Sequence, residues 1–593
     1  MTNQETKNCQ NCKQDFIIES EDLNFYKKIK VPPPTFCPEC RLIRRLIWRN
    51  ERALYRRKCD LCGEMKILMY SPESPHKVYC YQCWWSDKWN AAEYGRDYDF
   101  SKPFFEQFKE LLLTVPRPGI VKQGNNIESE YTNRVTDMRN CYLIFGTSVA
   151  EYCRYGVWLN GSKECVDGYN VQKSERCYEC VDCFQCYNLT FSQECNSCVD
   201  SWFLLNCNNC QNCFGCVNLR NKSYCIFNKQ YTKEEYQKII SGYQLGSAIF
   251  VEGIRARFNE FKKQFIVPAL VTHHSTNISG NWIEGSKNIF KSFTIANVEE
   301  GRYLYAIFSA KDAMDYSFWG ATAELMYEFI NSGMQVSDLQ FGNECWNQAV
   351  RMRYSMNCHN SHDLFGCIGL RNAEYCIFNK KYSKEEYEKI VSKIRNQMEN
   401  MPYTDKKGRV YGYGEFFPFE TSPFAYNESL AQEYFPINKE VASKIGYRWK
   451  EPEEKNYQIT MEAMALPDNI NDTQDSIINE MIGCTHLGKC NQQCTTAFKI
   501  TTEDLKIYRS AKLPLPRLCP NCRHYERLKQ RNPLKLRQRQ CMCRGKQSEN
   551  SIYQNGAEHR HGTEKCSNEF ETSYAPDRPE IVYCESCYNS EVA

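Results

Sequence analysis

A cysteine-rich stretch occurs twice in the middle of the chain, and this duplication limits the possible folds more than any other feature. The first copy ends at residues 207–236 and the second at residues 358–387. Three cysteines correspond without a gap: Cys207, Cys216 and Cys225 with Cys358, Cys367 and Cys376. Upstream, residues 163–167 face residues 311–315. An internal duplication of this length predicts a repeat architecture, in which each unit buries its apolar face against its neighbours.

Cysteines also recur at fixed spacing within the first copy. A spacing of twelve joins Cys141, Cys153, Cys165 and Cys177, and a spacing of twenty-one joins Cys165, Cys186 and Cys207. Short β-prone segments lie between them, separated by Asn, Gly, Ser and Asp. The pattern predicts a mostly β protein with short helices. Its centre would be two tandem cysteine-rich β-solenoid-like blocks with rungs of about 20 residues.

The cysteine runs 177–186 and 207–216 have three competing interpretations. A metal cluster is one, although the spacing lacks the x3 step and the proline of ferredoxin ligation. A ladder of buried thiols is the second, since free cysteine packs as a small hydrophobe. Disulfides are the third. The ladder is favoured because the second copy has Ala313 in place of Cys165 and Leu364 in place of Cys213.

The composition describes a chain that is long and nearly neutral. The 593 residues suffice for several domains, and 75 basic against 72 acidic residues give a net charge of +3, so any nucleic-acid signal must be local. The 36 cysteines fall largely in C-x2-C pairs, which indicate metal ligation in a reducing compartment. No basic-then-apolar leader and no apolar run of membrane length is apparent. We therefore expect a cytoplasmic protein without a membrane partner.

Two zinc sites are predicted at the amino terminus. Their ligands are Cys9, Cys12, Cys37 and Cys40 for the first, and Cys59, Cys62, Cys80 and Cys83 for the second. Two turn-borne C-x2-C pairs supply four thiolates at tetrahedral corners, as structural zinc requires. All four positions come from the protein, which argues against catalytic zinc.

The residues around the first site carry a family resemblance. A C-x2-C, an aromatic spacer with Phe25-Tyr26 and a proline-containing run precede C-x2-C-R, within CQNCKQDFIIESEDLNFYKKIKVPPPTFCPECR. This stretch resembles the zinc-ribbon domain of uncharacterised Cys-rich bacterial proteins. The resemblance covers about the first 45 residues and their carboxy-terminal counterpart. It implies a metal site and brings no established activity with it.

The end of the chain repeats its beginning, so we expect about four structural zinc ions in all. The third predicted site has Cys490, Cys494, Cys519 and Cys522; the fourth draws on Cys541, Cys543, Cys566, Cys584 and Cys587. The fourth ligand of the last site stays open, because Cys541 and Cys543 both qualify and an insertion adds His559 and His561.

Basic segments join the zinc sites at both ends. The amino-terminal arm contains Arg41, Arg44, Arg45, Arg49, Arg52 and Arg56; the carboxy-terminal arm contains Arg523, Arg527, Arg531 and Arg537. Helical spacing of Leu42 with Leu46 allows a solvated helix face as one interpretation. The other is a pair of arms that contact a nucleic-acid phosphate backbone.

Several smaller elements complete the prediction. A helix is expected over residues 103–115, and capping boxes at Thr232 and Ser383 predict helices that close each repeat block. Pro533 prevents a continuous helix in the carboxy-terminal arm. His359 and His362 are either metal ligands or a surface pair, and the surface pair is favoured.

These signals predict seven segments. They are paired zinc ribbons with a basic linker helix (1–100), a helical connector (101–125), the first repeat block (126–240), a connector (241–276), the second repeat block (277–397), an aromatic wrapping segment with an acidic linker from Glu451 (398–480) and paired zinc ribbons (481–593).

The predicted function is non-enzymatic zinc binding, with RNA or DNA held by the basic arms. The first alternative is a protein-interaction scaffold that uses the solenoid face. The second is a metal or redox enzyme in the region 177–216. The sequence contains no phosphate-binding glycine loop, nucleophile motif or HExxH, which argues against an enzyme.

Overall fold

The computed structural model describes residues 4–451 and 457–592. Strands hold 32% of the residues and helices 23%, so the chain is mostly β with short helices, as predicted. It divides into two compact units, Met1–Val121 with Leu270–Lys450 and Lys122–Ala269 with Glu451–Ala593. Each unit thus combines one terminal arm with the repeat block that is farther from it along the chain. The seven predicted segments are finer than this division and stay a prediction, and residues 452–456 of the predicted acidic linker lie outside the described residues.

The amino-terminal arm consists of two short hairpins, each followed by a helix. Its strands are β1 Glu5–Asn8, β2 Asp15–Ile18, β3 Tyr55–Lys58, β4 Met65–Leu68, β5 Val78–Tyr79 and β6 Arg117–Pro118. Its helices are α1 Ser20–Ile29, α2 Pro38–Leu46, α3 Tyr81–Trp84 and α4 Phe104–Thr114, with a 3-10 turn at Ala91–Tyr94. Strands β1 and β2 pair antiparallel, as do β3 and β4. Helix α4 confirms the predicted helix over residues 103–115.

The first repeat block is made of very short strands. These are β7 Lys122–Gln123, β8 Val135–Arg139, β9 Tyr142–Phe145, β10 Ser148–Glu151, β11 Arg154–Val157, β12 Ser162–Lys163, β13 Tyr169–Gln172, β14 Val181–Phe184, β15 Tyr187–Thr190, β16 Val199–Trp202, β17 Cys225–Ile226 and β18 Lys229–Gln230. After them come α5 Lys233–Ser241, α6 Ala248–Phe261, a 3-10 turn at Lys262–Gln264 and β19 Ile266–Pro268. The predicted capping box at Thr232 is present at the start of α5.

The second repeat block has longer extended segments. They are β20 Thr272–His273, β21 Thr276–Glu284, β22 Lys287–Arg302, β23 Tyr305–Gly333, β24 Val336–Asn343, β25 Val350–Arg353, β26 His362–Phe365, β27 Glu374–Ile377 and β28 Lys380–Lys381. There follow α7 Lys384–Asn400, β29 Tyr403–Thr404, β30 Val410–Tyr411, α8 Leu430–Tyr434 and α9 Lys439–Ile445, with 3-10 turns at Phe419–Thr421 and Tyr426–Glu428. Ser383 caps α7 with the predicted capping box.

The carboxy-terminal arm repeats the hairpin and helix order of the first. Its strands are β31 Ile482–Gly483, β32 Ala497–Phe498, β33 Arg537–Gln540, β34 Glu569–Thr572 and β35 Ile581–Tyr583. Its helices are α10 Thr502–Ser510, α11 Pro520–Leu528 and α12 Glu585–Val592, with 3-10 turns at Ala463–Ala465, Ile470–Asp472 and Asp475–Asn479. Helix α11 ends before Pro533, and the chain beyond it passes through turns into the extended β33, so the arm is partly extended, as the proline predicts.

Neighbouring strands of the first block pair in parallel with an offset of twelve residues. Tyr142 faces Arg154, Tyr169 faces Val181, and Tyr187 faces Val199. The predicted rung of about 20 residues is therefore wrong. From residue 134 to residue 227 every third residue has positive φ, which turns the chain after each short extended step. Asparagine tolerates this conformation and is frequent at these positions.

The residue that follows each left-handed position points into the block. Cys177, Cys180, Cys183 and Cys186 are each at most 2% exposed. Cys183 donates from Sγ to the carbonyls of Val181 and Ser192, and Ser162 donates from Oγ to the equivalent pair of carbonyls. The thiols of this region are free. Exchange of Cys with Ser in one hydrogen-bonding role favours the interpretation as a buried ladder.

The second block follows the same rule with an extra residue in part of its length. The offset is twelve between Phe293 and Tyr305 but thirteen between Ala323 and Val336. Paired left-handed residues such as Met334 and Gln335 accommodate the insertion at a corner. Larger side chains fill the interior, including Met326 and Phe329, both at 0% exposure. Among the described residues, no helix has the length and apolar character needed to cross a membrane.

Candidate metal centres

Four groups of four cysteines bring their sulfur atoms within 4.8 Å of one another. They are Cys9, Cys12, Cys37 and Cys40; Cys59, Cys62, Cys80 and Cys83; Cys484, Cys494, Cys519 and Cys522; and Cys541, Cys566, Cys584 and Cys587. Such groups fit zinc-ribbon-like sites. The eight amino-terminal ligands thus gather in the two predicted sets.

Each group joins a hairpin turn to the beginning of a helix. In the first group Cys9 and Cys12 lie in the turn between β1 and β2, while Cys37 is the residue before α2. The amide of Cys37 donates to Cys9 Sγ at 3.2 Å. The amides of Cys80, Cys519 and Cys584 make the same bond to Cys59, Cys484 and Cys541 at 3.2, 3.3 and 3.2 Å. Amide donors and the positive end of a helix both favour the thiolate form that binds metal.

The distances between sulfur atoms match a shared tetrahedral ion. Cys12 and Cys37 lie 3.8 Å apart, Cys494 and Cys519 lie 3.9 Å apart, and Cys566 lies 4.0 Å from Cys584. Two thiolates bound at about 2.3 Å to one tetrahedral zinc would lie about 3.8 Å apart. The distances given for these three groups are those of two ligands on one ion of that size.

The electrostatics of the groups favour at least one thiolate in each. Burial acts to raise the pKa of Cys59, but backbone amides of Cys62 and Cys80 outweigh it and lower that pKa to about 7. Contact with the Cys484 thiol lowers the pKa of Cys494 to about 6. Contact with the Cys541 thiol lowers the pKa of Cys584 to about 4.

The third group contains a ligand that the sequence analysis did not single out. Cys484 takes the position of Cys9, and predicted Cys490 lies beside the group, with its Sγ 3.7 Å from Cys522 Sγ. The hairpin pair is thus C-x9-C, from Cys484 to Cys494, rather than the predicted C-x3-C from Cys490 to Cys494. The sequence did contain a signal for Cys484. It comes directly after Ile482-Gly483, which form the first strand of the hairpin.

Of the candidates for the open position in the fourth group, the structure brings Cys541 to Cys566, Cys584 and Cys587. The remaining candidates form a separate group. Cys543, His559 and His561 gather with Cys587, again within 4.8 Å of one another. Every carboxy-terminal cysteine predicted as a ligand therefore lies in or beside one of these groups.

The arginines of helix α2 are buried in ion pairs within their unit. Arg41, Arg44 and Arg45 are at most 1% exposed. Arg41 contacts Asp315 at 2.8 Å, Arg44 contacts Glu328 and Glu415 at 2.8 Å each, and Arg45 contacts Glu328 at 2.9 Å. Burial opposes the charge of Arg44, yet the carboxylates of Glu328 and Glu415 raise its pKa above the usual value. Arg49, 7% exposed, pairs with Glu51.

Helix α11 repeats this arrangement in the other unit. Arg523 and Arg527 contact the carboxylate of Asp167 at 2.9 and 2.7 Å, and Asp167 is fully buried. Asp167 and Asp315 are the residues that face each other in the duplicated stretch. The ion pair is therefore part of the duplication, and only the equal position of the two aspartates in the duplicated stretch could have indicated it.

Buried guanidinium groups that face carboxylates do not reach a phosphate backbone. Five of the arginines predicted to contact phosphate are therefore buried inside their own unit: Arg41, Arg44, Arg45, Arg523 and Arg527. Arg49 is buried as well. Arg52 and Arg531 are partly exposed, and Arg531 donates to the Tyr169 hydroxyl. Among the predicted contacts, Arg56 and Arg537 are the exposed side chains.

The histidine pair of the second block separates into two different environments. His359 is 5% exposed, with its ring 4.1 Å from that of Trp346 and 5.3 Å from that of Trp85. Burial lowers the pKa of His359 to about 3. His362 is partly exposed and contacts Asp363 at 2.8 Å. The prediction of a surface pair is wrong for His359, because two tryptophans cover it.

Comparison with known proteins assigns no activity to this arrangement. No family model matches the chain, and no curated protein matches it. One matching solved structure is described as "putative acetyltransferase from Desulfovibrio desulfuricans G20", with 8% identity over 46% of this chain and 86% of that chain and a TM-score of 0.10. A TM-score of this size does not indicate a shared overall fold.

Proposed function

We propose that the protein is a non-enzymatic zinc-binding scaffold in which paired zinc ribbons clamp β-solenoid blocks whose open strand faces bind other proteins. The observation that carries the proposal is the burial of the basic arms. Their arginines pair with Asp315, Glu328 and Asp167 at 0% exposure, so the arms hold each unit together. An arginine that is buried in an ion pair inside a unit cannot also bind a polyanion such as nucleic acid.

The solenoid assignment rests on the register and on the left-handed residues. A parallel offset of twelve residues, with positive φ at every third residue, winds the chain so that each turn lies on the previous one. Each turn then buries its inward side chains only against adjacent turns. The block gains a repetitive outer surface.

The zinc assignment rests on the donor set. Four cysteine sulfurs at tetrahedral distances suit a borderline-soft ion such as zinc. With four protein ligands the ion has no open position for water or substrate. The ion would supply folding free energy, on the order of 10 kcal/mol at each site.

One face of the first block offers an ordered surface for a partner. Arg139, Glu151, Lys163 and Glu175 occupy one column at successive twelve-residue steps, and all four are at least partly exposed. Their charges alternate along the column. A surface with both signs in a fixed repeat suits a protein with a complementary pattern better than a uniformly negative nucleic acid.

Site-specific photo-crosslinking in cells tests the proposal. A photo-reactive residue at Lys163 should give discrete adducts that protease removes and nuclease leaves intact, whereas one at Lys66, partly exposed in a ribbon hairpin, should give none of them. The companion measurement is fluorescence anisotropy of the zinc-loaded chain with structured RNA and duplex DNA at low and moderate salt. Tight, steeply salt-dependent binding that is lost in an Arg56→Ala/Arg537→Ala variant would overturn the scaffold and favour the nucleic-acid prediction.

A further inference from the structure

The fourth ribbon contains more metal ligands than one zinc ion can use. Cys587 belongs to two groups, one with Cys541, Cys566 and Cys584 and the other with Cys543, His559 and His561. The shared residue places the two groups side by side. All five cysteines are at most 6% exposed.

The second group lies on an insertion that interrupts the ribbon hairpin. Cys541 follows β33 and Cys566 precedes β34. In the second ribbon, Cys59 likewise follows β3 and Cys62 precedes β4. Cys59 and Cys62 are three residues apart, whereas Cys541 and Cys566 are 25 apart. The inserted segment, all of it described, contains turns and isolated bridges but no helix or strand. Ordered structure in such a segment needs a local source of stability.

His559 has the orientation of a metal ligand. Its Nε2 lies 2.9 Å from a carboxylate oxygen of Glu591, and both side chains are at most 2% exposed. The opposite nitrogen, Nδ1, is buried and has no hydrogen-bond partner among the described residues. Amides of Gly556 and Ala557 hold the same carboxylate at 2.8 and 3.1 Å. A carboxylate that fixes one imidazole nitrogen while the other remains available is the usual arrangement behind a metal-bound histidine.

His561 shows the same division between its two nitrogens. Its Nδ1 lies 2.8 Å from the carbonyl oxygen of Glu564, which makes Nδ1 the protonated nitrogen. The available Nε2 lies 3.3 Å from Cys587 Sγ. A nitrogen and a sulfur bound to one tetrahedral zinc at about 2.0 and 2.3 Å would lie about 3.5 Å apart. The separation is therefore close to that of two ligands on one ion.

Cys543 completes the set. Its side chain is fully buried, and Asn555 donates from Nδ2 to its Sγ at 3.2 Å. An amide donor stabilises a thiolate and also fixes its direction. Two sulfurs and two imidazole nitrogens form a tetrahedral donor set typical of zinc.

We propose that the fourth ribbon holds a two-metal centre in which the Cys587 thiolate bridges both ions. Cys541, Cys566 and Cys584 complete the first ion, and Cys543, His559 and His561 complete the second. The second ion organises the inserted segment, which the scaffold function does not require. The inference thus goes beyond the proposed function and does not depend on it.

Metal stoichiometry of the zinc-loaded full chain, measured by native mass spectrometry, tests the second ion. The His559→Ala/His561→Ala variant should hold one zinc ion fewer than the unmodified chain. The control, His273→Ala/His274→Ala, removes two exposed histidines and should lose none. Equal metal content in the His559→Ala/His561→Ala variant and the unmodified chain would overturn the proposal.

The bridge is tested by comparing equivalent cysteines. Cys587→Ala should lose two ions, whereas Cys83→Ala, at the same position of the second ribbon, should lose one. Because either variant could fail to fold, cadmium-113 NMR of the unmodified chain gives an independent reading. A bridging thiolate predicts two cadmium resonances that couple to each other, one of them with nitrogen ligands. The other three groups should give uncoupled, sulfur-only resonances, so the bridge would be overturned if no resonances were coupled, or if neither member of the coupled pair had nitrogen ligands.

Discussion

Asp167 and Asp315 are buried charged residues at left-handed positions of the repeat. Each is fully buried and is neutralised by arginines of a zinc-ribbon helix. A second carboxylate supports each interface: Asp504 contacts Arg154 at 2.7 Å, and Asp22 contacts Arg302. The same pairings in both units tie each ribbon to its own strand block.

Removal of one partner should leave an uncompensated buried charge. We expect Asp167→Asn to lower the free energy of unfolding of its unit by about 3–5 kcal/mol, because Arg523 and Arg527 then lose their counter-ion. Urea unfolding followed by tryptophan fluorescence measures the change. The control is Glu164→Gln, which breaks the exposed pair with Arg176 and should cost about 1 kcal/mol or less. Equal effects would contradict a structural role for Asp167.

His359 should make its unit sensitive to acid. Its pKa falls to about 3 in the folded chain because burial opposes its charge, and Arg371 adds to the effect. The unfolded chain binds the proton near its ordinary pKa, so stability is present above about pH 6.5 and decreases as the pH falls. Between pH 7 and pH 5 we expect a loss of about 2 kcal/mol from this group.

The pH dependence of unfolding for a His359→Gln variant measures this contribution. The variant should lack that part of the acid sensitivity, whereas His273→Gln, at an exposed position, should keep it. A pH profile unchanged by His359→Gln would show that the imidazole is not held in its neutral form.

The inward column of the first block behaves as one element. Cys183 and Ser162 each donate to two backbone carbonyls, one two residues earlier and one nine residues later in the chain. The inward side chains therefore hydrogen-bond to the backbone of their own turn and of the next one. Aligned asparagines add a second ladder, as between Asn206 and Asn218 at 2.8 Å. These contacts explain why a fold with a left-handed residue at every third position remains regular.

Serine should replace two ladder cysteines without loss of metal. We expect a Cys180→Ser/Cys183→Ser variant to fold and to bind as much zinc as the unmodified chain, because the hydroxyls can donate to the same carbonyls. Mass spectrometry under native conditions measures both. In contrast, Cys584→Ser should lose metal, since Cys584 lies in a four-cysteine group. Metal loss from the ladder variant would restore the interpretation as a cluster.

The molecule as a whole consists of two units of the same design, each with a terminal arm and a repeat block. The blocks contribute strands and buried aspartates, and the arms contribute metal groups and arginines. Because α2 and α11 begin directly after cysteines of the candidate metal groups, a bound ion would fix the helix ends that carry these arginines. On the proposed zinc binding, metal and ion pairs would stabilise each unit together.

Chelation should affect the strand blocks as well as the ribbons. Without metal, the start of α11 loses its anchor and Asp167 loses its partners, so we expect faster amide hydrogen exchange in β11 and β13. Helix α5, which packs through Tyr236 on residues of its own block, provides the internal control and should exchange at an unchanged rate. Faster exchange confined to residues 481–592 would show that the blocks are stable independently of the arms.

Residue spacing alone determined the two amino-terminal cysteine groups and the starts of two helices. Eight amino-terminal cysteines gather as predicted, since a C-x2-C pair fixes the ligands locally. The capping boxes at Thr232 and Ser383 form for the same reason, because a cap depends on residues within one turn. Cys484 was missed because the spacing in its hairpin departs from that local rule.

Tertiary structure decided the role of the basic arms and the rung length. An arginine-rich helix has the same local sequence whether it faces solvent or a carboxylate 270 residues away, as Arg45 faces Asp315. Spacings of twelve and of twenty-one are both multiples of three, so both agree with the three-residue inward step of the structure, and neither shows how many steps close one turn. Only pairing between turns, which is a contact between distant backbone segments, selects the offset of twelve.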